Sequence, residues 1–234
     1  DLDGDGLEDA VALVVENSGG SGSFVYAGAQ LNRDGQPLDA GSALLGDRVQ
    51  LISMQVIDGQ VIAEIVTQGP GEGLCCGTLK MRKTLGFQDG QLAEVASEEM
   101  GPVSLNDLMG TQWQLHRLNF DQEPLVDVTI SAEFAEGTVS GTGGCNSYSA
   151  DVTSSGGQLL AVAPVTVSAM ACDDELEKLE AAYLAALQSA TEWRFYPGQL
   201  AIGYTATGGD QATLFFDTVE SADSGPSSDD QPSG

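Results

Sequence analysis

The first nine residues, DLDGDGLED, place four aspartates at a spacing that could bind a metal ion. In an EF-hand loop, alternate positions supply oxygen ligands for Ca²⁺, and a bidentate glutamate at position 12 completes the site. The early ligand positions are filled here by Asp1, Asp3, Asp5 and Asp9. The completing position is Ala12, however, and the surrounding AVALVVE is typical of a strand rather than a helix.

Two interpretations of this segment therefore stay open. One is a weak calcium loop of the D-x-D-G-D-G-x-x-D type, similar to those of extracellular β-repeat proteins, with the four aspartates around a structural ion. The other is a turn rich in Asp and Gly that leads into a strand. In either case we expect no cofactor to be required, and a bound calcium ion would only fix the first strand in place.

The four cysteines do not have the spacing of a structural zinc site, which needs CxxC-like pairs together with histidines. Cys75 and Cys76 are adjacent in a glycine-rich segment, which leaves a vicinal disulfide, a redox pair, and free or intermolecular thiols as alternatives. An even number of cysteines in an acidic chain rich in Gly and Ser favours an oxidising compartment. We therefore expect an extracytoplasmic protein: periplasmic, envelope-anchored or secreted.

Catalytic residues are not indicated. A Ser-His-Asp site would have to use His116, the one histidine of the chain, and this residue alternates with Gln112 and Gln114 on a face that we expect to meet water. The sequence has no G-x-S-x-G elbow, Walker loop or dinucleotide fingerprint. We therefore expect a protein that is not an enzyme.

The charge of the chain excludes two classes of partner. Against 35 acidic residues there are 8 basic ones, for a net charge of −27, which repels nucleic acids and anionic membranes. No apolar run is long enough to span a membrane. A protein or small-molecule ligand remains, and the oligomeric state is not indicated. Because the chain begins at Asp1 without a methionine, we expect a mature or trimmed form whose targeting segment is absent, and a lipid anchor is not indicated either way.

Hydrophobic patterning predicts strands in both halves of the chain. Apolar residues alternate on either side of Asp58-Gly59, a dipeptide that favours tight hairpins. Near the other end, DDELEKLEAAYLAALQSA repeats apolar residues at steps of three and four, which predicts one amphipathic helix. We predict a β domain at 1–93, a linker at 94–103, a second β-rich domain at 104–217 and a disordered acidic tail at 218–234.

Three motifs of the second domain occur in the order of a known family. They are Leu108-x-Gly110-x-x-Trp113-x-Leu115, Gly144-Cys145-Asn146-x-Tyr148, and Met170-Ala171-Cys172 before the acidic start of the helix. Over about residues 105–216 the chain resembles the META domain family of HslJ-like heat-shock and envelope proteins. Residues 1–90 are similar to N-terminal regions found beside META domains in bacterial secreted proteins.

The resemblance implies a mainly β (α+β) fold of two β-rich domains, the second an antiparallel sheet or barrel with one packed helix. It also implies a stress-related envelope or secreted protein, lipoproteins included, that binds rather than catalyses. The alternative is an interaction module, of adhesion or inhibitor type, that acts through its sheet surface. Within this fold, Trp113, Gly144, Asn146, Tyr148 and Met170 read as structural residues.

A disulfide between Cys145 and Cys172 would tie the glycine-rich turn to the start of the helix. On the chain-entropy model, closing a loop of this length stabilises the fold by about 3–4 kcal/mol. Two buried free thiols are the alternative.

Overall fold

The computed structural model describes residues 1–17, 19–20, 22–73, 77–123, 125–196 and 199–219. Within these ranges the chain forms three antiparallel sheets and one α-helix, which confirms the prediction of a mainly β fold. The Cys75-Cys76 pair and the predicted tail from residue 220 onward lie outside the described residues.

The N-terminal half consists of two sheets in which neighbours in sequence are neighbours in space. The first contains β1 (Ala10–Glu16), β2 (Phe24–Arg33) and β3 (Gln36–Asp47). The second contains β4 (Gln50–Ile57), β5 (Gln60–Thr67), β6 (Leu79–Gln88) and β7 (Gln91–Pro102). Both sheets contribute to one apolar core that includes Ala27, Leu45, Val61, Ile65 and Leu85.

Tight turns connect several of these strands. At the predicted hairpin, Asp58 and Gly59 both have positive φ, of 50° and 73°. The same combination of an acidic residue and a glycine with positive φ recurs at Asp34-Gly35, Asp89-Gly90 and Glu136-Gly137. Such two-residue turns match the right-handed twist of the strands they join.

Residues 94–103 differ from the predicted linker, because most of them belong to β7. This strand pairs with β6 along its length, from Gln91 opposite Gln88 to Pro102 opposite Leu79. The segment is polar because β7 is the edge strand of its sheet and much of it is exposed. An exposed edge strand does not need apolar residues at every second position. The polar composition of this segment therefore indicated a loop, although the segment is a strand.

The C-terminal half begins with a short 3₁₀ helix, Leu105–Leu108, and continues as a nine-stranded sheet with one helix. Its strands are β8 (Thr111–Arg117), β9 (Ser131–Ala135), β10 (Thr138–Thr142), β11 (Ser147–Thr153), β12 (Ala161–Val162), β13 (Thr166–Val167), β14 (Ala190–Tyr196), β15 (Gln199–Thr205) and β16 (Gln211–Thr218). The strand order is β12-β11-β10-β9-β8-β16-β15-β14, and β13 also pairs with β11.

The two ends of this sheet meet. The Leu160 N–H donates to the Thr191 carbonyl at 3.0 Å, and the Trp193 N–H donates to the Gln158 carbonyl at 2.9 Å. The residues before β12 are therefore bonded to β14, which gives the sheet a barrel-like closure.

The helix α1 (Asp174–Gln188) packs on this sheet. Asp173 caps its first turn by accepting a hydrogen bond from the Leu176 N–H at 2.9 Å. The predicted apolar stripe faces inward, with Tyr183 and Leu187 fully buried. Among the described residues, no helix is long and apolar enough to cross a membrane.

The two halves are packed against each other. Val66 of β5 and Val103 belong to the apolar core of the C-terminal half. The side chains of Gln50 and Gln158 exchange two hydrogen bonds, of 2.8 and 3.1 Å, and Gln50 also accepts the Phe195 N–H at 3.0 Å. Gln50 therefore connects β4 to both ends of the closed sheet.

Replacing Gln50→Ala should lower the free energy of unfolding by about 1–3 kcal/mol, because it removes three hydrogen bonds and leaves a backbone donor without this acceptor. Urea denaturation followed by tryptophan fluorescence measures the change. Gln55→Ala is the matched control, since Gln55 lies exposed on the same strand. Equal stability of the two variants would contradict a role for Gln50 in joining the halves.

Candidate functional site

The three glycines before Cys145 each make room for a different neighbour. A Cβ atom at Gly141 would lie 2.1 Å from the Ser131 carbonyl oxygen, and one at Gly143 would lie 2.6 Å from Glu180 Oε1. Gly144 has a φ of 107°, in the region that favours glycine. An unusual backbone conformation therefore explains the glycine at 144, whereas Gly141 and Gly143 are required by close packing.

Asn146 is the centre of the hydrogen-bond network behind this turn. Its Nδ2 donates to Glu180 Oε2 at 2.7 Å, and its backbone N–H donates to Glu180 Oε1 at 2.6 Å. Its Oδ1 accepts the Met170 N–H at 2.7 Å and the Ser168 hydroxyl at 3.1 Å. The side chain thus joins α1 to the segment after β13, and Asn146 is only 6% exposed.

Glu180 was not identified from the sequence. It lies on α1 with 7% of its surface exposed, and both of its carboxylate oxygens accept hydrogen bonds from Asn146. The signal that could have revealed it is its position in the helix, four residues after Leu176 and three before Tyr183, on the apolar stripe. A carboxylate on a buried helix face requires a partner.

Two buried tyrosines extend the polar interior. The hydroxyls of Tyr148 and Tyr183 are 2.6 Å apart, and the Tyr148 hydroxyl also donates to the Ser131 carbonyl at 2.9 Å. Burial raises the pKa of both phenols well above the usual value. They therefore remain neutral hydrogen-bonding groups of the core, and neither is poised to act as a base.

The other residues predicted to be structural differ in their burial and in the contacts that they make. Trp113 is buried and donates from Nε1 to the Thr111 hydroxyl at 2.6 Å. Cys145 and Cys172 lie at disulfide distance, with Cα atoms 6.2 Å apart, so the turn is linked to the start of α1. Met170 contributes through its backbone N–H, while its side chain is largely exposed.

In the N-terminal aspartate loop, carboxylates and backbone donors satisfy one another. Asp1 accepts the N–H groups of Gly4 and Gly6 at 2.7 and 2.9 Å. Asp9 accepts the Leu2 N–H at 2.7 Å and the Asn32 N–H at 2.8 Å. Because Leu2 belongs to the core of the N-terminal half, the loop anchors the chain start to β2.

The charges in this loop are partly balanced by an arginine. The Arg33 guanidinium pairs with Asp3 and also with Asp5, the latter at 2.6 Å. Burial raises the pKa of Asp9, but the N–H groups of Leu2 and Asn32 outweigh it and hold the pKa of that carboxyl below its usual value. Oxygens of Asp1, Asp3 and Asp9 lie within 4.8 Å of one another. Asp5 is not part of this group of three.

His116 lies at the surface, about one third exposed, with Nδ1 3.0 Å from Asp217 Oδ2. The expectation that it faces water thus holds in part.

A cleft of about 600 Å³ lies where the three sheets meet, and the sequence did not indicate it. Phe120 and Tyr196 line it with side chains that are 58% and 47% exposed. Phe215 lies beneath them, with ring centroids 4.3 Å from Phe120 and 5.9 Å from Tyr196. The lining also includes Val15, Ser23, Val25, Arg48, Gln50, Val66, Glu192 and Arg194.

Replacing Glu180→Gln should lower the free energy of unfolding by about 2 kcal/mol, because one carboxylate oxygen becomes an NH₂ group facing a donor of Asn146. Urea denaturation at neutral pH gives the value. Glu175→Gln, an exposed change on the same helix, should cost less than about 1 kcal/mol. The proposed importance of the network fails when both variants unfold at the same urea concentration.

Comparison with known proteins identifies the C-terminal half. The META domain model matches residues 106–219, which contain all three sequence motifs. The solved NMR structure of a protein from Burkholderia xenovorans is 23% identical, covering 49% of this chain and 85% of that chain with a TM-score of 0.38. None of the curated proteins matches the chain. Residues 106–219 are therefore a META domain.

Proposed function

We propose that this protein is a non-enzymatic, extracytoplasmic binding module that holds a ligand in the cleft between its N-terminal sheets and its META domain. The volume of about 600 Å³ is in the range of small-molecule sites, roughly 300–1,000 Å³. Residues of all three sheets line the cleft, so the packing of the two halves defines its shape.

The observation that carries this proposal is that two exposed aromatic rings line the same cleft. Phe120 and Tyr196 leave about half of their surfaces in contact with solvent, although Phe215 lies directly beneath both. Covering aromatic surface with a ligand removes it from water, which is favourable by about 25 cal/mol per Å². Exposed apolar groups gathered in a cleft are typical of binding sites.

The META motif supports a binding function over a catalytic one. The polar groups of Asn146 and Glu180 are engaged with each other and with the backbone. Burial raises the pKa values of Tyr148 and Tyr183 well above the usual tyrosine value, so both phenols stay protonated at neutral pH. These groups are used to hold the fold together, and none is presented to a substrate.

An extracytoplasmic location and a stress-related role in the envelope complete the proposal. The META domain and the Cys145–Cys172 pair at disulfide distance are both compatible with an oxidising compartment. Attachment as a lipoprotein belongs to the same proposal.

A second candidate function is association with another protein through the sheet surface. The edge strand β1 favours it, because Val14 and Val15 are exposed there. Such an edge can accept a strand from a partner.

The binding proposal is testable with a neutral fluorescent probe, N-phenyl-1-naphthylamine. We expect saturable fluorescence enhancement with one site per chain, and about tenfold weaker binding by Phe120→Ala, since buried aromatic anchors contribute 1 kcal/mol or more. Met170→Ala is the control, because Met170 is an exposed apolar residue outside the cleft. Non-saturable binding, or equal weakening by both variants, would overturn the proposal.

The proposal includes a structural Ca²⁺ at Asp1, Asp3 and Asp9, where Arg33 competes as the alternative cation. Calcium should raise the melting temperature, and Arg33→Gln should strengthen binding by removing the competing charge. Calorimetry and thermal melts with and without chelator measure both effects, with Asp89→Asn as a control in a distant hairpin. If neither the wild type nor Arg33→Gln shows heat of Ca²⁺ binding or a shift in melting temperature, the proposed calcium site is wrong.

A further inference from the structure

We propose that the ligand of this cleft is an anion with an aromatic or apolar body, whose negative group is held by Arg48 and Arg194. The inference rests on the proposed binding function and adds the chemical class of the ligand. Both arginines line the cleft, and they reach it from different halves of the molecule.

Arginine side chains are concentrated in and next to this cleft. The chain has 8 basic residues against 35 acidic ones, and five of the basic residues are arginines. Arg48 and Arg194 line the cleft, and Arg117 stacks on Phe120 and Phe215 at 5.5 and 4.9 Å from their ring centroids. Two of the five arginines therefore line the cleft of a strongly acidic protein, and a third stacks on Phe120 of its lining.

The lining itself is not acidic. Its charged residues are Arg48, Arg194 and Glu192, and together with Asp47, which pairs with Arg48, they sum to zero, whereas the whole chain carries −27. Charges more than about 10 Å away are largely screened at 0.1 M salt, so the local sum decides which ligand is favoured. An anion therefore meets less repulsion here than the net charge of the whole chain implies.

Both guanidinium groups are held in position by acids close to them in sequence. Arg48 pairs with Asp47 at 3.5 Å, and Arg194 pairs with Glu192 at 3.2 Å. All four side chains are partly exposed, so each pair contributes only about 1 kcal/mol or less. A guanidinium has five N–H donors in a fork that matches a carboxylate, so it can bind a ligand anion beside its protein partner.

The backbone at Arg48 has an unusual conformation. Its φ is 52°, a left-handed conformation that an arginine rarely adopts. The four hairpin turns with positive φ use Asp or Glu followed by glycine, whereas this turn places a long cationic side chain at the rim of a cleft. The Arg48 N–H donates to the Ser23 carbonyl at 2.7 Å, which fixes the turn. Residues in such conformations concentrate at functional sites.

The aromatic rings define the rest of the ligand. Phe120 and Tyr196 stand edge to face, with centroids 6.4 Å apart, and both lie in the lining that holds the arginines. A ligand with a ring and a carboxylate can cover these aromatic surfaces while its charge contacts a guanidinium.

The test compares two probes that differ only in charge, naphthalene-1-acetate and naphthalene-1-acetamide. By calorimetry at low salt, we expect the acid to bind about tenfold more tightly than the amide, as for one charge-assisted hydrogen bond. In Arg48→Gln and Arg194→Gln, this preference should fall to about threefold or less. Arg82→Gln, an arginine on β6 that pairs with Glu64 and is not in the lining, should keep the preference.

The outcomes separate the two proposals. If the acid and the amide bind equally well, or if the preference for the acid survives in both cleft variants, the proposal that the ligand is an anion is wrong. The proposal that the cleft binds a ligand then still stands. Failure of both probes to bind overturns the anion assignment and the binding function together. Circular dichroism melts of each variant show that a lost preference does not come from unfolding.

Discussion

The pairing of Asn146 with Glu180 is the interaction on which the META domain depends most. It places a carboxylate in an apolar core, where each polar atom left without a partner costs about 1–3 kcal/mol. Two donors of Asn146 engage both oxygens of Glu180, and the Asn146 carbonyl accepts the Gly143 N–H at 2.8 Å. One residue pair thereby fixes the glycine turn, the position of α1 and the return of the chain after β13.

The closed sheet of the META domain provides a surface for the N-terminal half. Val66 and Val103 enter the META core, and Gln50 bonds to Gln158 and to the Phe195 N–H. The three sheets do not fill the space where their rims meet. The cleft with Phe120 and Tyr196 is therefore a consequence of how two separate apolar cores pack together.

The sequence was informative where a single short segment determines the structure. The Asp58-Gly59 hairpin and the helix from Asp174 both agree with the structure. The pairing of Cys145 with Cys172 also agrees, although the two residues are 27 positions apart, because cysteines that can pair are recognised by residue type. It was uninformative where distant residues meet: Glu180 is 34 positions from Asn146, and the cleft lining extends from Val15 to Thr213. The aspartate loop shows the same limit. Its spacing indicated a cation site, but Arg33, which supplies a cation, lies 28 positions beyond Asp5.

The contrast between the two polar regions of the molecule indicates where its function lies. Around Asn146 the donors and acceptors are matched within the protein, so an external ligand would have to break existing bonds in order to bind. In the cleft, two arginines pair with partly exposed acids beside them, and two aromatic rings remain in water. Weak, solvated pairs and uncovered apolar surface gain most from a ligand. The family motif therefore explains how the domain folds, and the cleft outside that motif is the place where binding is to be sought.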